Sequence, residues 1–396
     1  MQQDTAAVKA PSEKRSTPPH ILPIYASSSF VFESAEDSIA AFEQTDRRHV
    51  YSRYGNPTTD AVAAKITELE TWNTGIEALG LMTSSGMAAI HVLTAGLLRQ
   101  GDAILTQGNL YGGTTELFNS VLAPMGIRTR YVDLADLEVV EDAFRSDPAI
   151  RLLYCETPAN PTLACYDLGS LAALARKYGA KSAADNTFAT PMLQQPFALG
   201  IDFVIHSTTK YLNGHGNSIA GFVAGTDIEL MRGRIWPTVK LTGANCSPFE
   251  AWLTHNGIKT LSLRMQRQCA NAQLLARFLE AHPAVSRVNY PGLAAHPDHA
   301  LAARQMRGGF GAMLSFELKG GLEAGIRLMN GLRLCVIAPT LGDVDTLVLH
   351  PATSSHLRVP PEQRAAYGIT DGLVRISVGI EHPDDLIADL AQALEG

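Results

Sequence analysis

Small hydroxyl side chains and glycines flank Lys210. The residue belongs to the stretch HSTTKYLNGHGNS, residues 206–218, which directly follows the apolar residues 203–205. A lysine is usually a solvated surface charge, but one held in a cleft can lose its proton and attack a carbonyl carbon, which forms a Schiff base. The stretch therefore marks Lys210 as a candidate nucleophile.

Other polar residues stand at the ends of predicted strands or at the start of a predicted helix. They are Asp185 at the end of KSAAD, Glu156 and Asn160 at and after the end of RLLYCE, Tyr111 after AILTQ, and residues 84–86 before a helix. Ligands of parallel α/β sheets sit at the carboxyl ends of the strands. We therefore expect these side chains to converge with Lys210 on one edge of one sheet.

The elements that must position these residues follow from apolar periodicity. Predicted helices cover residues 57–70, 87–98, 115–122, 134–144 and 168–177, and predicted strands cover residues 103–105, 129–132, 151–155, 181–184, 203–206 and 218–224. This alternation is typical of an α/β fold with a mostly parallel sheet covered on both faces.

A second, smaller α+β domain is predicted after about residue 250. Its expected elements are a long helix over residues 260–281, strands over residues 285–290, 313–318, 346–349 and 373–378, and a final helix over residues 383–394. We accordingly expect an N-terminal arm (1–50), an α/β domain (51–250) and a C-terminal α+β domain (251–396), with residues 1–20 extended.

Composition excludes several classes of function. The net charge of -7 argues against nucleic-acid binding through a basic face, and the N-terminus lacks the apolar stretch of a signal peptide. The longest uncharged run, residues 78–98, is typical of buried core rather than a membrane span. Five scattered cysteines without a CxxC pair predict reduced thiols in a cytoplasmic protein. The loop around residues 296–299 offers two histidines and an aspartate but no evident further ligand, so no metal site is expected.

The candidate residues match the needs of pyridoxal 5′-phosphate (PLP), a carbonyl compound. Its phosphate requires hydroxyls and N–H groups at a helix start, its ring nitrogen requires a carboxylate, and its ring face requires a cover. Ser207, Thr209 and residues 85–87 could meet the first need, Asp185 the second and Tyr111 the third.

The chain resembles the Cys/Met-metabolism, or trans-sulfuration, family of PLP-dependent enzymes, which have the aspartate-aminotransferase-like fold (fold type I). The resemblance runs from about residue 23 to the C-terminus. It is carried by ordered blocks: YSRYGNPT (51–58), SSGMAAI (84–90), LYGGT (110–114), ETPANPT (156–162), ADNTFATP (184–191), HSTTKYLNGHG (206–216), LGDVDTLVLHPATSSH (341–356) and GLVRISVGIE (372–381).

The resemblance implies a role for each matching position. Lys210 forms the Schiff base with PLP and moves protons, and Tyr111 stacks on the ring and assists the leaving group. The other implied cofactor ligands are Asp185, Gly86, Met87, Ser207, Thr209, Asn160 and, from a neighbouring subunit, Tyr51 and Arg53. The implied substrate ligands are Arg375, Thr340 and Tyr51. Shared sites make a dimer obligatory and favour a homotetramer, a dimer of active dimers.

Each of these residues also has a simpler interpretation. Asp185 could cap the turn that follows it, Tyr111 could be a core aromatic residue, and Arg375 could form a structural salt bridge within LVRISV. Tyr51 and Arg53 could be a surface pair. A protein that binds the cofactor as a regulator or scaffold would not need a substrate arginine, which favours an enzyme.

Subgroup markers within the family conflict. The chain is most similar to methionine gamma-lyases, yet those carry a cysteine at the position of Gly113 and a Lys-Asp pair where this chain has Lys240 and Leu241. Cystathionine-handling relatives place a glutamate at the position of Pro339, and YGGT and VGIEH resemble O-acylhomoserine sulfhydrylases. We expect a C–S gamma-lyase on a methionine-like amino acid, with O-acetyl- or O-succinylhomoserine sulfhydrylase as the alternative and cystathionine gamma-lyase or gamma-synthase less favoured.

Overall fold

A large and a small β-sheet organise the chain in this computed structural model, which describes residues 2–9, 19–43, 48–355, 357, 362, 364 and 368–395. The large sheet contains β1 (Leu79–Thr83), β2 (Ala103–Thr106), β3 (Arg128–Tyr131), β4 (Ile150–Glu156), β5 (Lys181–Asp185), β6 (Phe203–Ser207) and β7 (Gly221–Gly225). The small sheet contains β8 (Val285–Asn289), β9 (Met313–Leu318), β10 (Val336–Ile337), β11 (Leu347–Leu349) and β12 (Leu373–Ser377).

The large sheet has the order β1-β7-β6-β5-β4-β2-β3. The five strands from β6 to β3 run parallel, and β7 pairs antiparallel with both β6 and β1. The carboxyl ends of β4, β5 and β6 therefore meet at one edge of the sheet.

Side chains along one strand alternate between two separate cores. In β4, Leu152 and Tyr154 pack into one buried cluster, whereas Leu153 and Cys155 pack into another on the opposite face. A strand buried on both faces requires apolar residues, and residues 152–155 of β4 are apolar between the exposed Arg151 and the strand-end Glu156. The fold is thus α/β with a mostly parallel central sheet covered on both faces.

The helices differ at their N-termini, and only some begin at a residue whose side chain caps the first turn. They are α1 (Gln3–Val8), α2 (Ala35–Phe42), α3 (Pro57–Glu70), α4 (Gly86–Leu97), α5 (Gly112–Glu116), α6 (Leu137–Ser146), α7 (Leu168–Lys177), α8 (Thr190–Leu193), α9 (Ile228–Leu230), α10 (Trp236–Thr242), α11 (Pro248–Ile258), α12 (Leu261–Ala281), α13 (His299–Gln305), α14 (Gly321–Gly331) and α15 (Pro383–Glu395). Asn56 caps α3 by accepting the Thr58 N–H at 2.9 Å, and Ser85 caps α4 by accepting the Ala88 N–H at 3.0 Å. No helix in the described part of the chain is long and apolar enough to cross a membrane.

Helix α12 connects the two sheets. Its buried side chains Leu261 and Met265 belong to the core beneath the large sheet, whereas Leu275 and Leu279 belong to the core of the small sheet. The small sheet has the order β10-β11-β12-β9-β8 and is antiparallel except for the β10–β11 pair. The two sheets lie within the predicted α/β and α+β ranges, and the boundaries between those ranges stay predictions.

Most predicted elements are present, but several regions differ from expectation. Helices α2, α11 and α14 and strand β10 were not predicted. Residues 1–20 were expected to be extended, and this was wrong for Gln3–Val8, which is helical. Ala6 and Ala7 are buried there, and the Lys65 ammonium donates to the Ala6 carbonyl at 2.8 Å. Contacts with α3 thus stabilise a helix too short to form alone. Strand β1 also went unpredicted, because it lies inside the uncharged run 78–98, which has no clear period.

Candidate active site

A cavity of about 270 Å³ lies at the carboxyl ends of β4, β5 and β6. Its volume is close to the lower end of the range for small-molecule sites. The lining includes Ser85, Gly86, Met87, Ile90, Tyr111, Thr114, Glu156, Pro158, Asn160, Asp185, Thr187, Phe188, Ser207, Thr209, Lys210, Ile219, Pro339, Leu341 and Arg375. The predicted convergence of the strand-end residues is therefore present.

Lys210 enters this cavity from the turn after β6. Its backbone N–H donates to the Ser207 carbonyl at 3.2 Å, and its carbonyl accepts the Gly214 N–H at 2.7 Å. The left-handed backbone at Gly214 (φ 71°) turns the chain away from the site. The Lys210 Nζ donates to Thr340 Oγ1 at 2.8 Å.

Burial, with the nearby charge of Arg375, lowers the pKa of Lys210 to about 8. A sizeable fraction of this amine is neutral near physiological pH. Neutral amines are nucleophilic, so Lys210 has the protonation state and the position needed to attack a carbonyl carbon.

Asp185 ends β5 and stands in register with Glu156 at the end of β4. One Asp185 carboxylate oxygen accepts the Thr187 N–H at 2.9 Å, so the residue does cap the following turn. Burial raises the pKa of Asp185, because its charged form has lost water. A cationic group in the cavity would compensate for that lost hydration.

The start of α4 lies against the end of β6. A Cβ added to Gly86 would come within 2.7 Å of the Ser207 Cβ, so only glycine allows this approach. The approach places the start of α4 beside Ser207, and Thr209, whose hydroxyl bonds to the backbone of Ala220, lines the same cavity. N–H groups at a helix start and hydroxyls together form a good anion site.

Tyr111 lies on the loop before α5 at the mouth of the cavity. The residue is 52% exposed, so it is not a core aromatic. Its N–H donates to Glu156 Oε2 at 2.8 Å. A Cβ added to Gly113 would lie 2.6 Å from the Tyr111 ring, so the missing side chain at position 113 lets the ring fold back over this loop.

Arg375 reaches the cavity from β12 of the small sheet. Its guanidinium donates to Asn160 Oδ1 at 3.3 Å and to the Thr340 carbonyl at 2.9 Å. Its Nε has no hydrogen-bond partner among the described residues, although the side chain is only 6% exposed. Desolvation lowers the pKa of Arg375 to about 10. The alternative of a structural salt bridge lacks a carboxylate partner in the described part of the chain, and the vacant donor favours an anionic ligand.

Tyr51 and Arg53 do not line the cavity of their own chain. The Arg53 guanidinium donates to the Lys240 carbonyl at 2.6 Å and stacks on Tyr51 and Tyr54. Tyr51 is 40% exposed. Tyr51 is thus presented on the outer surface, as a role in a neighbouring subunit would require, whereas Arg53 is half-buried beside it.

Some cavity residues received no role from the sequence. Glu156 was noted as a strand end only, and Thr114, Thr187, Ile219 and Leu341 were not singled out. The sequence signal for Glu156 is an acidic residue directly after the apolar residues 152–155. The other four are brought to the cavity by the tertiary structure, which the sequence pattern does not show.

Comparison with known proteins identifies the family. The description "Cys/Met metabolism PLP-dependent enzyme" matches residues 4–395. The chain belongs to this family. It is an enzyme that uses PLP.

Among curated relatives, the L-methionine gamma-lyase of Pseudomonas putida is 46% identical over 373 residues, which are 94% of this chain and 92% of that enzyme. The O-succinylhomoserine sulfhydrylase of Pseudomonas aeruginosa is 42% identical over 391 residues, 99% of this chain and 94% of that enzyme. Among solved structures, cystathionine gamma synthase from Xanthomonas oryzae pv. oryzae has a TM-score of 0.92 at 39% identity, covering 100% of this chain and 98% of that chain. This likeness confirms the expected fold type I architecture.

The cavity residues fit PLP. Lys210 supplies the amine for its carbonyl, Asp185 supplies a carboxyl group for its ring nitrogen, and the start of α4 with Ser207 and Thr209 supplies donors for its phosphate. The vacant Nε of Arg375 remains for a second anion, which a substrate carboxylate would provide.

Proposed function

We propose that this enzyme is a C–S gamma-lyase, which converts methionine-like amino acids and water into a 2-oxo acid, ammonia and a thiol. The observation that carries the proposal is the chemistry of the cavity wall. Its ionisable acidic and basic residues are Glu156, Asp185, Lys210 and Arg375, and the last three have roles with the cofactor or with the α-amino acid group.

The wall near Lys210 offers Pro339, Leu341 and Ile219 to a substrate side chain. These apolar groups suit a thioether such as that of methionine. Cystathionine carries a distal ammonium group, and burial of that charge against proline would be costly. The methionine gamma-lyases among the relatives support the same choice.

When PLP is bound, it stabilises negative charge on the substrate carbons next to the amino group. The protein supplies the other requirements. Arg375 holds the substrate carboxylate through Nε and a terminal nitrogen. Lys210 Nζ, steadied by Thr340 Oγ1, removes and returns protons at Cα and Cβ. The Tyr111 hydroxyl gives a proton to the sulfur at Cγ as the C–S bond breaks.

The remaining roles complete the cofactor site. Ser207, Thr209, Gly86 and Met87 hold the phosphate, and Asp185 pairs with the ring nitrogen. Asn160 holds the ring hydroxyl while accepting a hydrogen bond from Arg375.

We also propose that a second copy completes each site and that two such dimers form a homotetramer. Tyr51 is exposed and Arg53 lies half-buried beside it, and both would reach the phosphate of the neighbouring copy, where Tyr51 would also contact substrate. Ile219 is 67% exposed although it lines the cavity, and Leu241 beside Lys240 is 74% exposed. Covering such apolar side chains favours association. Buried thiols at all five cysteines accord with a cytoplasmic enzyme.

A substrate panel tests the reaction. The purified protein with PLP is expected to release 2-oxo acid and thiol from methionine faster than from cystathionine. Faster turnover of cystathionine would refute the argument from Pro339. The alternative, sulfhydrylation of O-acylhomoserines, is favoured by the Pseudomonas aeruginosa relative. It predicts that added sulfide with O-succinylhomoserine yields homocysteine faster than methionine yields a 2-oxo acid.

Loss of the covalent anchor tests the enzyme itself. Lys210→Ala is expected to abolish the visible absorbance of bound cofactor and all turnover. If the wild-type protein gains no such absorbance with added PLP, the proposed PLP-dependent reaction is refuted.

A further inference from the structure

Glu156 is a buried carboxyl group in the cavity wall to which the proposed reaction assigns no step. Its Oε2 accepts the Tyr111 N–H at 2.8 Å, and its Oε1 accepts the Thr114 hydroxyl at 3.1 Å. Both partners belong to the segment that carries the aromatic ring. One side chain therefore holds the segment that begins with Tyr111 and continues as α5.

The backbone of Glu156 is itself fixed. Gln107 donates from Nε2 to the Glu156 carbonyl at 2.7 Å and accepts the Glu156 N–H at 3.1 Å. Gln107 directly follows β2, next to β4 in the sheet. The Glu156 carboxyl group thus projects from a rigid strand end toward a loop that is otherwise open to solvent.

We propose that Glu156 is a positioning residue, whose carboxyl oxygens hold the loop at Tyr111 so that the phenol ring stays over the cofactor ring. The inference rests on the proposed role of Tyr111 as ring cover and proton donor. It does not depend on which amino acid the enzyme consumes.

Glu156 holds the loop at Tyr111 through its hydrogen bonds and not through a negative charge. Burial, together with the adjacent Asp185 carboxyl group, raises the pKa of Glu156 to about 8. The other titratable groups near it are Tyr154 and, on the opposite face of β4, Cys155, and Lys210 and Arg375 line the same cavity. A neutral Glu156 leaves the single negative charge of the carboxyl pair on Asp185, where the ring nitrogen needs it.

Two conservative variants of Glu156 distinguish the effect of its hydrogen bonds on the loop from the effect of a negative charge on its carboxyl group. Glu156→Gln keeps an acceptor for the Tyr111 N–H and gains a donor for the Thr114 oxygen. Glu156→Asp keeps a carboxyl group but withdraws it by one methylene, which orphans the Tyr111 N–H. We expect the PLP dissociation constant of Glu156→Gln to stay within about threefold of wild type, and that of Glu156→Asp to rise about tenfold or more.

The measurements are equilibrium PLP binding and circular dichroism in the visible band of the bound cofactor, which reports the ring's asymmetric surroundings. Glu156→Asp is expected to lose much of the dichroism at saturating PLP, and Glu156→Gln to retain it. The opposite order, with Glu156→Asp resembling wild type, would show that charge matters and overturn the proposal.

A double-mutant cycle separates positioning from general structural damage. In a Tyr111→Ala background, Glu156→Asp is expected to change the dissociation constant less than about twofold, because the ring it positions is gone. A persistent tenfold effect there would make Glu156 merely structural and refute the inference. If Tyr111→Ala alone leaves PLP binding unchanged, the ring-cover role fails and the inference with it. Failure of methionine turnover, with these binding results intact, would count against the proposed reaction alone.

Discussion

Replacing Arg375 by lysine keeps the positive charge but removes the fork of the guanidinium. Two of its nitrogens are already oriented by Asn160 Oδ1 and the Thr340 carbonyl, and the buried Nε is vacant among the described residues. A substrate carboxylate would engage Nε and one terminal nitrogen, whereas an ammonium group can offer only one comparable bond.

The loss is therefore one charge-assisted hydrogen bond, worth about 1.5–3 kcal/mol. That corresponds to a decrease of about 10- to 150-fold in kcat/KM for methionine. The assay is steady-state release of 2-oxo acid. The same variant is expected to change kcat/KM for methionine methyl ester by less than about threefold, because the ester has no carboxylate to lose.

Arg267→Lys is the matched control. Arg267 is exposed and donates to the carbonyls of Ile380 and Glu381, away from the cavity. We expect this variant to keep wild-type kcat/KM. An equal loss for methionine and its ester in Arg375→Lys would refute the reasoning, since it would mean that the arginine acts through the fold rather than through the substrate carboxylate.

Three further predictions concern other contacts. In Gly86→Ala, the new Cβ would press on Ser207, so we expect PLP binding to weaken by about 1–3 kcal/mol. Unchanged affinity in a PLP titration would contradict the close contact between the start of α4 and Ser207. In Thr340→Val, the ammonium form of Lys210 loses its acceptor, so its pKa of about 8 should fall further. The pH midpoint of PLP uptake by cofactor-free protein should then lie below that of wild type, and a rise would count against this contact. Burial lowers the pKa of His255 to about 4, so stability should be full above pH 6.5 and fall by up to about 3 kcal/mol as the pH drops toward 4. Denaturant titrations at several pH values should show that the unfolding free energy of His255→Leu depends much less on pH between 6.5 and 4. The same pH dependence as wild type would show that other groups cause it.

Local chemistry allowed much of the fold to be predicted from the sequence. The bounds of the helix Leu168–Lys177 and the strand Met313–Leu318 were predicted as observed. An Asp cap precedes the helix, and apolar residues at alternate positions mark the strand. Strand β1 was missed, since its pairing with β7 is a long-range contact that leaves no local pattern. The helix Gln3–Val8 was missed because α3 and α12, not its own sequence, stabilise it.

The sequence by itself determined the cofactor and its candidate anchor, because a lysine among hydroxyls, an aspartate at a strand end and glycines before a helix occur in ordered blocks. Only the tertiary structure decided how these groups meet. Asn160 and Arg375 are 215 residues apart, yet they share a hydrogen bond. Thr340 meets Lys210 across the two sheets, and Glu156 meets Tyr111 across two strand ends. Such partners depend on strand order and register, which non-local burial sets and local spacing does not. The stretch HSTTKYLNGHGNS thus predicted Lys210 as the reactive amine. The packing of the small sheet against the large one brings Thr340 Oγ1 within hydrogen-bond distance of that amine.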